Sequence, residues 1–75
     1  MYLYKAKGFM YTGSLVSIRG FNVIPDWVIH AYQVGTLFYD TSGRLFLKTI
    51  DRDIPVNVGD CIVSDEDGVL SVIPK

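Results

Sequence analysis

Cysteine and histidine are scarce in this chain, because its 75 residues include one of each, Cys61 and His30. A single cysteine cannot form an intramolecular disulfide, which excludes the small disulfide-stapled secreted scaffolds. Because Cys61 stands inside an apolar run, we expect its thiol to be buried and to pack as a small hydrophobic group. No second cysteine or histidine stands at metal-ligand spacing, so the sequence predicts neither a zinc site nor any other cofactor.

Long apolar runs are missing too. Lys5 and Lys7 interrupt the N-terminal segment early, which argues against a secretory signal peptide. No segment approaches the roughly 18 consecutive apolar residues that cross a bilayer. We therefore expect a cytoplasmic protein without membrane contact.

Catalytic patterns are also absent. The seven glycines are scattered along the chain instead of forming a phosphate-binding loop. Asp51 and Asp53 would make a carboxylate pair, but no histidine or serine stands beside them, so a solvated loop is the preferred interpretation. Asp65, Asp67 and Gly68 match only part of a calcium loop, and a hairpin turn explains them better. The sequence therefore predicts a protein that is not an enzyme.

What the chain has in quantity is apolar side chains: 49% of its residues are hydrophobic and 13% aromatic. This richness argues against disorder. The length predicts one domain over residues 1–75. A chain of this size buries only about 60% of the surface that it exposes when unfolded, and oligomerisation is one way to complete such a core.

Short strands dominate the predicted structure. Alternating side chains predict a first strand over residues 2–11 and a shorter one over residues 14–19. Pro55 confines its strand to a sheet edge or marks the first residue of that strand. Val58-Gly59-Asp60 predicts a tight corner between two strands, in which Gly59 supplies backbone freedom and Asp60 accepts hydrogen bonds from turn amides.

Two hairpins follow from turn residues that stand between apolar runs. Residues 37–39 and 45–50 flank the turn Asp40–Gly43, and residues 62–63 and 69–73 flank the turn Asp65–Gly68. Each turn ends in a glycine suited to a left-handed backbone.

The only good helix candidate is Pro25–Gly35, since proline suits the first helical position and glycine the end. Trp27, Val28, Ala31 and Tyr32 form its apolar stripe, and we expect Trp27 to anchor it on a sheet. The predicted class is α+β, with five to seven short strands in a small antiparallel sheet or partly open barrel and one short helix packed on it.

Charge is distributed unevenly although the net charge is only −1. Residues 51–67 carry six acids against one arginine, whereas residues 1–24 carry three bases and no acid. This asymmetry is explained either by solubility alone or by an acidic face that docks on a basic surface of another protein. The candidate partner-binding residues of such a face are Asp51, Asp53, Asp65, Glu66 and Asp67.

Aromatic residues interleaved with basic ones suggest a second kind of site, a stacking platform for single-stranded nucleic acid. The alternative is that alternate aromatics form the core. With seven basic residues and an isoelectric point near 5.5, the core explanation is preferred and direct nucleic-acid binding is disfavoured. The residues concerned are Tyr2, Tyr4, Phe9, Tyr11, Phe38, Tyr39 and Phe46, with Lys5, Lys7 and Arg44.

The tail and three upstream segments carry a resemblance. The tail motif is Val58-Gly59-Asp60-Cys61-Ile62-Val63, followed by Asp67-Gly68 in the next turn. Upstream stand Tyr11-Thr12-Gly13, the segment Trp27–Gly35 and the strand Leu45-x-Leu47-x-Thr49. Together they resemble a group of small phage- and prophage-encoded β-rich proteins of uncharacterised function.

This resemblance implies a phage origin and a place in the cytoplasm of a bacterial host cell. With no catalytic groups, such a protein is expected to bind and inhibit a host protein through its acidic face. Its target would be a defence or nucleic-acid-acting enzyme, as for an anti-CRISPR protein. The alternatives are a structural or assembly module that forms a small homo-oligomer, sequestration of a small ligand and, least favoured, single-stranded nucleic-acid binding.

Overall fold

The computed structural model describes residues 7–15 and 24–75. This part of the chain forms six strands and one helix. In chain order they are β1 (Lys7–Met10), α1 (Asp26–Gln33), β2 (Leu37–Tyr39), β3 (Leu45–Lys48), β4 (Asp53–Val56), β5 (Cys61–Ser64) and β6 (Leu70–Ile73). The structure is thus α+β with mostly strands. The start of the first predicted strand and most of the second lie outside the described residues.

The strands form two three-stranded antiparallel sheets, in the orders β1-β5-β6 and β2-β3-β4. We refer to them as the β5 sheet and the β3 sheet, after their central strands. Both predicted hairpins are confirmed, with Tyr39 opposite Leu45 and Ser64 opposite Leu70. β4 lies at an edge of the β3 sheet, where the missing N–H of Pro55 leaves no gap in a central ladder.

One apolar core unites both sheets and the helix. Alternation along β2 and β3 turns Leu37, Leu45 and Leu47 inward, and each is at most 1% exposed. Val28 of the helix and Ile62 of β5 are fully buried against them. Burial of each such side chain contributes about 1.5–3 kcal/mol.

The helix confirms the predicted segment but buries a narrower face than the pattern predicted. The carbonyl of Pro25 accepts hydrogen bonds from the amides of Val28 and Ile29, at 3.0 and 3.1 Å. Trp27 is half-buried against the core, as an anchor should be. The assignment of Tyr32 to the buried stripe is wrong, because its side chain is 47% exposed. The helix has only two turns, and Val28 and Ala31 are its buried residues. Tyr32 follows Ala31 directly, and the helical rotation between them turns its side chain away from the buried face.

The expectation that Cys61 is fully buried is also corrected. Its side chain is half-buried, because alternation along β5 places the neighbouring Ile62 in the core. Cys61 therefore lies on the outer face of the β5 sheet. There it stands between Met10 and Ile73 in the strand register.

Candidate functional site

The Val58-Gly59-Asp60 corner joins the two sheets. Gly59 has φ of 95°, a backbone region that disfavours other residues. The corner is held by Tyr11, whose amide donates to the carbonyl of Asp60 and whose carbonyl accepts from the amide of Gly59, both at 2.9 Å. These two hydrogen bonds attach the corner to the residue that follows β1. At this corner the chain passes from β4 in the β3 sheet to β5 in the β5 sheet.

Asp60 supports this corner from within. Its side chain is only 6% exposed. One carboxylate oxygen accepts the amide of Asn57 at 3.0 Å, and the other accepts the amide of Lys75 at 3.1 Å. The prediction that Asp60 bonds turn amides is confirmed, and both of its oxygens are engaged in holding the fold.

The five predicted partner-binding acids fall into three settings. Asp65 closes the β5–β6 turn, since its Oδ1 accepts the amides of Asp67 and Val69, each at 2.9 Å. Glu66 and Asp67 project from this turn and are exposed. Asp51 is exposed in the β3–β4 connection.

Asp53 has a different setting from the other four. It begins β4, opposite Lys48 on the outer face of the β3 sheet. The expectation that Asp53 lies in a solvated loop with Asp51 is therefore wrong, because ladder pairing already begins at this residue.

A groove runs around the β5–β6 turn, and we call it the turn groove. It has three lobes that share Gly68. Trp27, Asp65 and Glu66 line a first lobe of about 440 Å³. A middle lobe of about 320 Å³ lies between the helix and β6 and is bounded by Trp27 and Val34.

The third lobe, of about 370 Å³, lies between the β3–β4 connection and the β5–β6 turn. Ile50 lines it from the first of these segments and Val69 from the second. Ile50 is 100% exposed, and Val69 and Val34 are more than 60% exposed. Because Asp51 follows Ile50 directly, the two acidic segments border the same groove at different ends.

The turn groove combines exposed apolar side chains with exposed carboxylates. Among residues 7–15 and 24–75, no three histidine, cysteine or carboxylate groups are close enough to hold a metal ion. The one helix of the described residues is eight residues long, too short to cross a bilayer. Exposed apolar side chains beside exposed carboxylates can provide anchors and a charged rim for a partner.

The groove is the feature that sequence reasoning missed. Its walls come from the helix, the β3–β4 connection and the β5–β6 hairpin, which are distant in the chain. The available signal was the placement of Ile50 and Val69 in turns, where an apolar side chain has no core to enter. No protein-family model, curated protein or solved structure matches the chain.

Proposed function

We propose that this chain is a non-enzymatic domain that docks its turn groove on a basic surface of another protein. The observation that carries the proposal is the combination, in one groove, of exposed Val34, Ile50 and Val69 with the carboxylates of Asp65 and Glu66. Apolar anchors supply most of the affinity at such a surface, and acids on the rim select a basic partner and speed its encounter.

The resemblance to phage-encoded proteins supports a host protein as that partner. Enzymes that act on nucleic acids present strongly basic surfaces. A small acidic domain seated there would compete with the nucleic acid. Inhibition of a host defence enzyme, in the manner of an anti-CRISPR protein in the bacterial cytoplasm, is the activity that we propose.

Charge removal in the turn groove tests this proposal. We expect the Glu66→Ser/Asp67→Ser variant to lose about tenfold in affinity and most of the salt dependence of binding. Asp65 is left intact because its carboxylate closes the turn. The measurement is capture from bacterial lysate with immobilised protein, followed by titration of the captured partner at several salt concentrations.

Two matched variants sharpen the comparison. Ile50→Ser removes an apolar anchor without disturbing the core, because this side chain is 100% exposed, and should weaken binding as much as the acid variant. Asp53→Asn removes a carboxylate outside the groove and should change affinity far less. Equal capture of the same partner by all of these variants would contradict docking through the turn groove.

A structural or assembly module is the second candidate. The observation that favours it is a row on the outer face of the β5 sheet, where Met10 and Ile73 flank Cys61. Met10 is 60% exposed and Ile73 55% exposed. A second copy of the chain could cover this row.

A further inference from the structure

The outer face of the β3 sheet carries an apolar row that neither the core nor the turn groove uses. Phe38 of β2, Phe46 of β3 and Pro55 of β4 stand side by side in the strand register. Neither phenylalanine belongs to the core cluster, since alternation sends Leu45 and Leu47 inward instead. We call this row, with Arg44 just before β3 and Lys48 at its end, the aromatic platform.

The rings of the platform are ordered with respect to each other and to a cation. Phe38 and Phe46 are stacked, with centroids 5.7 Å apart and planes 17° from parallel. The guanidinium carbon of Arg44 lies 5.8 Å from the centroid of Phe46, within range of a cation–π interaction. Arg44 also donates a long hydrogen bond of 3.4 Å to the side-chain oxygen of Asn57, which restrains the guanidinium beside the ring.

Cations flank the central ring on both sides. Alternate residues of a strand share a face, about 6.6 Å apart along it, so Phe46 and Lys48 of β3 lie in a line with Arg44, the residue just before the strand. Two acids border this face. The carboxylate of Asp40 is engaged, because its Oδ1 accepts the amides of Ser42 and Arg44 and the Ser42 hydroxyl.

The other acid, Asp53, stands opposite Lys48, so each of the two cations has one carboxylate beside it. The low isoelectric point arises largely from acids elsewhere, in the β5–β6 turn and the β3–β4 connection. The face itself carries two bases, Arg44 and Lys48, and two acids, Asp40 and Asp53, so it is balanced in charge and lacks the acidic excess of the β5–β6 turn.

We propose that the aromatic platform binds single-stranded nucleic acid, with bases stacked on Phe38 and Phe46 and phosphates held by Arg44 and Lys48. Stacked aromatics beside basic groups are the recurring means of such binding, and they hold any base because every base has a π face. A purely apolar partner would gain nothing from the two cations. This binding is additional to protein docking, since the platform and the turn groove share only Lys48, which also lines the third lobe of the groove.

Fluorescence anisotropy with a labelled oligothymidylate of about 12 nucleotides tests the platform directly. With two phosphates neutralised, affinity should fall about 25-fold for a tenfold rise in salt. Lys48→Gln should reduce that loss to about fivefold, because one phosphate contact remains. Phe46→Ala should weaken binding by about tenfold through lost stacking, and Phe46→Leu should do the same while it keeps the apolar bulk.

Lys75→Gln removes a base that follows β6, outside the platform, and should bind the oligonucleotide as the parent does. Asp53→Asn should bind the oligonucleotide more tightly, because it removes a negative charge opposite Lys48. An acidic face that docks on a protein would instead lose affinity for its partner. Thermal unfolding of each variant confirms that the fold is kept.

The proposal is overturned if the parent shows no binding at low salt, or if Lys75→Gln weakens binding as much as Lys48→Gln. It is also overturned if a proline-rich peptide or a second copy of the chain occupies the platform and the oligonucleotide does not.

Discussion

At the scale of single residues, Asp60 is the one buried acid in the described part of the chain. It is 6% exposed and accepts two backbone amides, one from its own turn and one from Lys75. A buried carboxylate is tolerated when such charge-assisted bonds replace its lost water. The acid at the most recognisable motif of the sequence therefore serves the fold, and the exposed acids Glu66 and Asp67 remain free to meet a partner.

Replacement of Asp60 tests this division of roles. We expect Asp60→Ala to lower the free energy of unfolding by about 2–3 kcal/mol, because two amides lose a charged acceptor. Asp60→Asn should cost less, since one oxygen still accepts. Urea unfolding followed by the fluorescence of Trp27 measures both, with the exposed Asp53→Asn as the control. A cost for Asp60→Ala within about 0.5 kcal/mol of that control would show that the bonds contribute little.

Residue patterns predict interactions between residues that are close in the sequence, and they do not predict those between residues far apart in it. The Asp65 carboxylate bonds residues two and four positions ahead, so the turn could be inferred from the sequence. The bond from Lys75 to Asp60 spans 15 residues, and no local rule points to it. Cys61 shows a second limit, because alternation tells which side chains share a face and not which face meets the core.

At the scale of elements, the two sheets are tied by a pair of tyrosines. The hydroxyl of Tyr11, just after β1, lies 3.1 Å from the hydroxyl of Tyr39 on β2. Burial raises the pKa of Tyr11 well above its ordinary value of 10.0, and the hydrogen bond with Tyr39 adds to the rise. Both effects favour the neutral phenol in the folded protein.

This shift predicts a loss of stability in alkali. In the unfolded chain Tyr11 ionises near pH 10, whereas in the folded protein it keeps its proton. Above that pH the folded state binds more protons than the unfolded state, so the free energy of unfolding falls as pH rises. The contribution of Tyr11 is complete below about pH 10 and declines above it.

Tyr11→Phe isolates the effect, because phenylalanine keeps the ring and cannot ionise. We expect the parent to be more stable by about 1 kcal/mol at neutral pH, from the hydrogen bond. This advantage should shrink or reverse between about pH 10 and about pH 11.5. Urea unfolding of both proteins across this range measures the difference, which cancels the titration of lysines common to both. A difference that stays constant with pH would show that the buried phenol is not the cause.

The elements themselves were largely predictable, and their assembly was not. Turn glycines, Pro25 and Pro55 indicate where strands and the helix begin and end, because each acts on its own backbone. Tyr11 and Tyr39 are 28 residues apart, and the walls of the turn groove come from three separate segments. Such contacts depend on how the two sheets pack, which hydrophobic periodicity does not determine.

At the scale of the whole molecule, the described residues form three surfaces: the turn groove, the aromatic platform, which meets the groove at Lys48, and the outer row of the β5 sheet formed by Met10, Cys61 and Ile73. A stable interface requires roughly 800 Å² from each partner. The outer row has three side chains and provides only a small part of that area. The core, moreover, is already closed within one copy, since Leu37, Ile62 and Val28 are fully buried without a neighbour.

We therefore expect a monomer of 8.4 kDa in solution at micromolar concentration, and light scattering after size-exclusion chromatography measures it. Cys61 provides an independent reporter, because it is the only cysteine of the chain and stands in the centre of the outer row. A twofold dimer through this row would bring two copies of Cys61 close together, so a short thiol-specific crosslinker would join them. Met10→Ser/Ile73→Ser would then abolish both the dimer mass and the crosslink. That result would favour the assembly module over docking by a monomer, whereas a dimer that survives this double substitution would place the contact on another face.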